Sequence, residues 1–104
     1  MKRMNIQSLM EFTKEQSNRK EIFKEGQMDT GLLLYMAGQK TPEHKHSDID
    51  EIFYVVSGTG TITINGEEFS LAAHDIIYSP KGEVHGFFNT GDSNLSVLQI
   101  KLHN

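Results

Sequence analysis

The sequence predicts an all-β protein, a small closed or double-layered antiparallel fold with a shorter, less regular N-terminal segment, and three observations carry that reading. From Thr30 onward, short apolar runs are punctuated by turn residues at the spacing of a sandwich or barrel. An Asn65-Gly66 pair, flanked on both sides by residues of alternating polarity, has the composition of a tight hairpin turn. No long segment holds a helical period, and there is no internal repeat or low-complexity tract. At 104 residues the chain is large enough for one core and too small for two.

Taken in order, residues 1–29 read as an N-terminal arm or edge strands and residues 30–104 as the barrel. In the first part Ile6, Leu9, Met10, Phe12, Ile22 and Phe23 are the apolar positions, divided by a polar run from Thr13 to Lys20. The spacing of Ile6, Leu9 and Met10 suits a short helical turn; an edge strand, or an arm laid over a neighbouring subunit, suits it as well. Strands are predicted over residues 30–37, 51–57, 60–65, 67–71, 75–79, 83–89 and 95–102. The 60–65 and 67–71 strands close on Asn65-Gly66, two residues that tolerate the positive φ of a type I′ turn. Ser79-Pro80-Lys81-Gly82 is a turn with proline presetting φ and glycine at its end, and Asn89 to Asn94 is a second polar connection. Two runs, Leu32 to Met36 and Ile52 to Val56, are apolar on both faces. A strand with one wet face would alternate, so the outer face needs cover, and a second copy of the chain supplies it: a homodimer is expected.

Composition excludes several function classes. The formal charge of −4 and the scattering of basic residues argue against nucleic acid as a partner. No run is long and apolar enough for a membrane span, and polar residues interrupt the basic N-terminus before a signal-peptide core forms, which reads as a cytoplasmic protein. Cysteine is absent, so disulfides, thiolate ligands and cysteine nucleophiles are all removed, and any metal is held by nitrogen and oxygen.

The polar centre of the chain is His44-Lys45-His46, followed by Glu51. On a strand His44 and His46 project to one side and Lys45 to the other. Two imidazoles and a carboxylate directed into one apolar interior are costly unless something unites them, and a divalent cation is the usual agent. A His-x-His pair on a surface strand is common and inert; here the surrounding spacing argues for more. Gly38-x5-His44-x-His46-x4-Glu51-x6-Gly58 resembles the first conserved motif of the cupin superfamily at every defined position, and Pro80-x-Gly82-x2-His85-x3-Asn89 resembles most of the second. The two motifs and their connection cover about half the chain. One position departs: His74 stands, before the expected Asp75, where the second motif usually opens with glycine. That turn often needs positive φ, which histidine enters more readily than most residues.

The resemblance implies a double-stranded β-helix, or jelly-roll, barrel holding one metal ion on His44, His46, Glu51 and His85. Three imidazoles and a carboxylate suit Mn, Fe, Co, Ni, Cu or Zn better than Ca or Mg, and leave two positions open in a six-coordinate site. Tyr35, Phe53, Tyr78 and Phe87 are expected in the core or the pocket wall, giving a mostly apolar cavity, with Asn89 anchoring the strand that carries His85. His74 and His103 are expected to be solvated, and no residue is assigned as catalytic base. Function then divides in two. One reading is a metal-dependent enzyme, of dioxygenase or of isomerase and lyase type, acting on a small oxygenated metabolite that chelates the ion. The other is a non-catalytic module that binds a small molecule or the metal itself.

Overall fold

A computed structural model describes residues 1–104. The turn at Asn65-Gly66 has φ of 49° and 84° at its two residues, as a type I′ hairpin requires. Around it the chain forms a 3₁₀ turn (Ile6–Leu9) and nine strands: β1 (Asn18–Glu25), β2 (Met28–Tyr35), β3 (Lys40–Lys45), β4 (Ile49–Ser57), β5 (Thr59–Ile64), β6 (Glu67–Ala72), β7 (Ile76–Ser79), β8 (Val84–Phe88) and β9 (Leu95–His103). They make two antiparallel sheets, one ordered β1-β2-β9-β4-β7 and the other β3-β8-β5-β6. Two facing sheets joined by strands that cross between them are the architecture of a double-stranded β-helix. No helix is long and apolar enough to cross a membrane.

Period-two alternation fills the interior. Along β4 the inward residues Glu51, Phe53 and Val55 are buried while Ile52 between them is 38% exposed. The core comprises Tyr35, Phe53, Val55, Ile62, Leu71, Phe87, Leu95 and Val97. Phe53 and Phe87 meet edge to face with centroids 4.8 Å apart, linking the two sheets. The β4–β5 corner passes through Gly58, at φ 89°, where a Cβ would fall 2.3 Å from the Asn94 carbonyl oxygen; only glycine fits.

His74 occupies the positive-φ position at 78° and is exposed as expected, but it is not free: its Nδ1 lies 2.6 Å from the Tyr54 hydroxyl and its backbone N–H donates to Val55 at 2.7 Å. Asp75 then closes the turn by accepting the Ala72 N–H at 2.8 Å.

The N-terminal segment resolves into both local forms considered for it. Asn5 caps the 3₁₀ turn by accepting the Gln7 N–H at 2.9 Å, and residues 18–25 add an outer strand to the five-stranded sheet. This β1 has a polar start, Asn18-Arg19-Lys20-Glu21, which hides it in the sequence. The two doubly apolar runs have different causes. Leu33 and Tyr35 line the interior, so Leu32 and Leu34 face the other way; yet they are 0% and 1% exposed and lie outside the core cluster. Both are buried within the single chain, so this run needs no second copy of the chain. On β4 the outer face keeps Ile52 exposed beside exposed Ile100 and Tyr78, its register partners.

Candidate functional site

Each of the four predicted ligands arrives by a local rule. Glu51 is an inward position of β4. His85 is an inward position of β8 and is 2% exposed. On β3, an edge strand, the register slips between Thr41 and His44: three residues on β3 span two on β8. This bulge at Pro42-Glu43, where an edge strand tolerates proline, sets His44 directly across from His85. Gly86 makes room for it, since a Cβ there would lie 2.7 Å from the Thr41 carbonyl oxygen. His46 falls just beyond the end of β3 rather than on it, but its ring still meets that of His44 with centroids 4.9 Å apart.

The four side chains converge. Glu51 Oε1 lies 3.3 Å from His85 Nε2 and 3.9 Å from His46 Nε2, and the His44 and His85 ring centroids are 4.7 Å apart. They are gathered without being closed: no three His, Asp or Glu side chains form a ready-made cage for an ion. Hydrogen bonds fix which imidazole nitrogen is free. Ser79 gives its one proton to Glu83 at 2.8 Å, so its oxygen accepts from His85 Nδ1 at 3.1 Å, and the neutral His85 ring then presents Nε2 as a lone pair. His44 Nδ1 lies 3.0 Å from the Pro42 carbonyl, an acceptor only, so Nε2 is again the lone pair. The result is that two buried acceptors, Glu51 Oε1 and His85 Nε2, face each other with no hydrogen-bond partner.

Burial works to raise the Glu51 carboxyl, but the hydrogen bond and charge of a protonated His85, the Gln99 amide and His46 outweigh it and hold Glu51 below the usual range, so it is ionised. Burial pulls His46 down, against the opposing pull of Glu51, so its neutral form is favoured.

The cavity in front of the cluster measures about 260 Å³. Tyr35, Phe53 and Phe87 line it as expected. Tyr78 does not: strand alternation turns Ser79 inward and Tyr78 outward, where it is 62% exposed and donates to Asp50 at 3.2 Å. Asn89 lies outside the cavity wall and is fully buried, its Nδ2 donating to the carbonyls of Tyr35 and Ser93 at 3.0 and 2.8 Å, so it anchors the end of β8. By residue type only four of thirteen lining residues are hydrophobic, although apolar atoms make up the larger part of the lining surface. β1 and β9 supply the polar wall with Arg19, Gln99 and Lys101, none of them foreseen. Gln99 Nε2 donates to Glu51 Oε2 at 2.9 Å, Arg19 Nε donates to Gln99 Oε1 at 2.8 Å, and Arg19 Nη2 donates to Asp29 at 3.0 Å. Gly31 leaves the groove for that guanidinium: a Cβ there would stand 2.5 Å from Arg19 Cζ. The signal was present in β9, where extending the inward phase of Leu95 and Val97 lands on Gln99 and Lys101. His103, expected to be solvated, is half-buried with its Nε2 3.8 Å from Asp29.

Two facing antiparallel sheets with three histidines and a carboxylate gathered inside them define a small double-stranded β-helix barrel. The chain belongs to the cupin family: the model of the cupin domain matches residues 31–101. Among curated relatives it is 32% identical over 77 residues to an uncharacterized protein of Methanocaldococcus jannaschii, covering 74% of this chain and 62% of that one. It is 33% identical over 63 residues to the oxalate-binding protein of Thermotoga maritima, covering 61% and 52%. It is 30% identical over 70 residues to a 5-nitrosalicylic acid 1,2-dioxygenase of Bradyrhizobium, covering 67% and 33%. The matched stretches thus span between one third and under two thirds of these relatives' own lengths. In fold, the crystal structure of TT1209 from Thermus thermophilus superposes with a TM-score of 0.93 at 23% identity, covering 99% of this chain and 98% of that one.

Proposed function

We propose that the chain binds one divalent transition-metal ion through His44, His46, Glu51 and His85 and is a metal-dependent enzyme acting on a small oxygenated metabolite. The observation that carries this is the pair of buried acceptors. With the His85 ring neutral, a carboxylate oxygen and an imidazole lone pair 3.3 Å apart, both without a donor, repel each other in a dry interior, and a metal cation answers both at once. The tautomers at His44 and His85 present Nε2 as the donor atom a metal needs, with the other nitrogen tied to the Pro42 carbonyl and to Ser79. The donor set suits Mn, Fe, Co, Ni, Cu or Zn. When bound, such an ion supplies Lewis-acid polarisation and, where it is redox-active, the electron transfer that oxygen insertion requires.

The chain's own residues do the rest. Gln99 holds the Glu51 carboxylate in one orientation, Ser79 and the Pro42 carbonyl hold two imidazoles, and Tyr35, Phe53 and Phe87 exclude water from one side of the cavity. A cavity of about 260 Å³ accommodates a compound of roughly ten to fifteen non-hydrogen atoms. That fits ligands of the size named for two relatives, oxalate and 5-nitrosalicylic acid.

The second reading, a non-catalytic binding module, is favoured by the relative named as an oxalate-binding protein. It is also favoured by the Tyr35 phenol in the cavity wall, which burial raises to about 12 and so suits poorly to proton transfer near neutral pH. We further propose that the exposed apolar face around Ile52, Ile100 and Tyr78 is covered by a second copy of the chain.

The test is elemental analysis of protein expressed in metal-balanced medium. Close to one transition-metal ion per chain is expected, with most of it lost in His85→Ala. Metal-free wild-type protein that also fails to take up added Mn, Fe or Zn refutes the reading.

A further inference from the structure

The histidines explain one part of the cavity lining, and beside them β9 carries a group they leave unexplained. Lys101 on β9 pairs in register with Glu51 on β4 and with Asp29 on β2. Cross-strand partners share a face, so Lys101 is turned inward, while its neighbours Ile100 and Leu102, 36% and 41% exposed, look outward. Its side chain lines the cavity and is half-buried, and it takes part in none of the chain's ion pairs. Arg19 on the same wall is held by Asp29 and Gln99. The charge distribution is uneven. The chain has 14 acidic and 10 basic residues, yet no Asp or Glu is among the thirteen residues lining the cavity. Glu51 and Asp29 sit behind the wall at 1% and 7% exposure.

A cavity lined by two permanent cations and three imidazoles, in a chain of net negative charge, favours an anion over a neutral ligand of the same shape. We propose that the compound taken up here carries a carboxylate, and that Lys101, beside the Arg19 guanidinium, is the residue that selects for it. The inference rests on the metal reading above, since the same ligand reaches the ion with its remaining oxygens. It assigns to Lys101 a specificity role that the histidine cluster does not supply: the ion attracts any chelator, while the ammonium adds a preference for charge on the stretch of wall that β9 contributes.

The test is a ligand-and-variant cycle on metal-loaded protein, using malonate and malonamide at fixed ionic strength and isothermal titration calorimetry. The two probes share a skeleton and differ in charge. The ion's own preference for the anion is common to wild type and variant and cancels in the cycle. Lys101→Met is expected to weaken malonate about tenfold, the size of one hydrogen bond to a charged group, and to leave malonamide within about twofold. Lys101→Arg is expected to keep the preference. Metal content is measured on every sample. Wild-type protein that carries no metal overturns the reading of the site. Metal-loaded protein in which Lys101→Met changes both probes equally or neither, or which binds no malonate, overturns the role of Lys101 alone.

Discussion

Replacing Glu51 by glutamine separates the ion from the fold, because the structure gives the substitution opposite signs with and without metal. In the metal-free chain with His85 neutral, Glu51 Oε1 faces the lone pair of His85 Nε2, acceptor against acceptor. An amide of the same shape can turn its NH₂ toward His85 and its oxygen toward the Gln99 Nε2 that now holds Oε2 at 2.9 Å. It also removes a charge from a position 1% exposed. Metal-free Glu51→Gln should therefore be at least as stable as the metal-free wild type. With metal the order reverses. An ion at one hundred times its Kd stabilises the wild type by about 2.7 kcal/mol. For a domain of this size that raises Tm by about 11–22 °C. Losing the one anionic ligand should weaken the ion at least about 100-fold, the upper end of what even outer-shell changes cost. At the same ion concentration the gain then falls to about 0.4 kcal/mol, a shift of about 2–3 °C. Scanning calorimetry on chelator-treated samples, titrated with manganese or zinc, reads both arms. A variant that keeps the full metal-dependent shift refutes Glu51 as a ligand. One that is more than about 1 kcal/mol less stable without metal refutes the clash of acceptors.

Three further outcomes follow from the same geometry. Gln99→Leu leaves Glu51 Oε2 and Arg19 Nε unpaired in the interior and should cost about 2–4 kcal/mol in urea unfolding, with weakened metal uptake; a change below 0.5 kcal/mol would show that the bonds carry nothing (roughly the surface range). Burial alone raises Asp29, but its bond to Arg19 and the charges of Arg19, Lys101 and Lys24 win and lower it. A lowered carboxylate contributes stability above its unfolded value of about 3.9 and loses it as pH falls through the folded value, so the gap between wild type and Asp29→Asn, about 1–2 kcal/mol, should be level from pH 5 to 7 and shrink below about 4. A gap that instead widens in acid contradicts the sign. On the outer face, Ile100→Lys should shift a dimer to monomer in light scattering, because a charge set among Ile52, Tyr78 and Leu102 blocks burial of that patch; a monomeric wild type at tens of micromolar refutes the second copy.

Why the barrel was readable and part of the site was not has a physical cause. β4 to β9 alternate or end at glycine, proline and asparagine, so their periodicity and turns are local properties of the chain. Even the positive φ of His74 follows from its place between Ala72 and Asp75. The cluster was readable because its spacing matched a family pattern, and His44 reaches His85 through a bulge that spacing alone does not reveal. Arg19 was unreadable for a different reason. It lies in a polar stretch with no period, and its role exists only because Gly31, twelve positions on, lacks the side chain that would fill its groove. Tyr78 was misplaced because aromatic character gives no phase; Ser79, its small neighbour, holds the inward position.

The chain of bonds from Asp29 through Arg19 and Gln99 to Glu51 makes the N-terminal strand part of the site, although no residue of β1 belongs to the histidine cluster. β1 is an edge strand, held to the barrel by β2 alone in its sheet, and such strands are the first to open. Its opening withdraws Arg19, which frees Gln99 to turn and lets Glu51 lose its orienting donor. A carboxylate with a free rotor binds a cation less well than one held in place, since the rotor entropy is then lost on binding. Affinity at the centre of the barrel should accordingly track the docking of a strand at its edge. Arg19→Met separates this coupling from the ligand set, because it keeps every proposed ligand and the whole N-terminal segment and loses only the bonds from Arg19 to Gln99 and Asp29. Weaker metal uptake with an intact barrel by circular dichroism is the expected result, and undiminished uptake would place the whole of the affinity in the four side chains themselves.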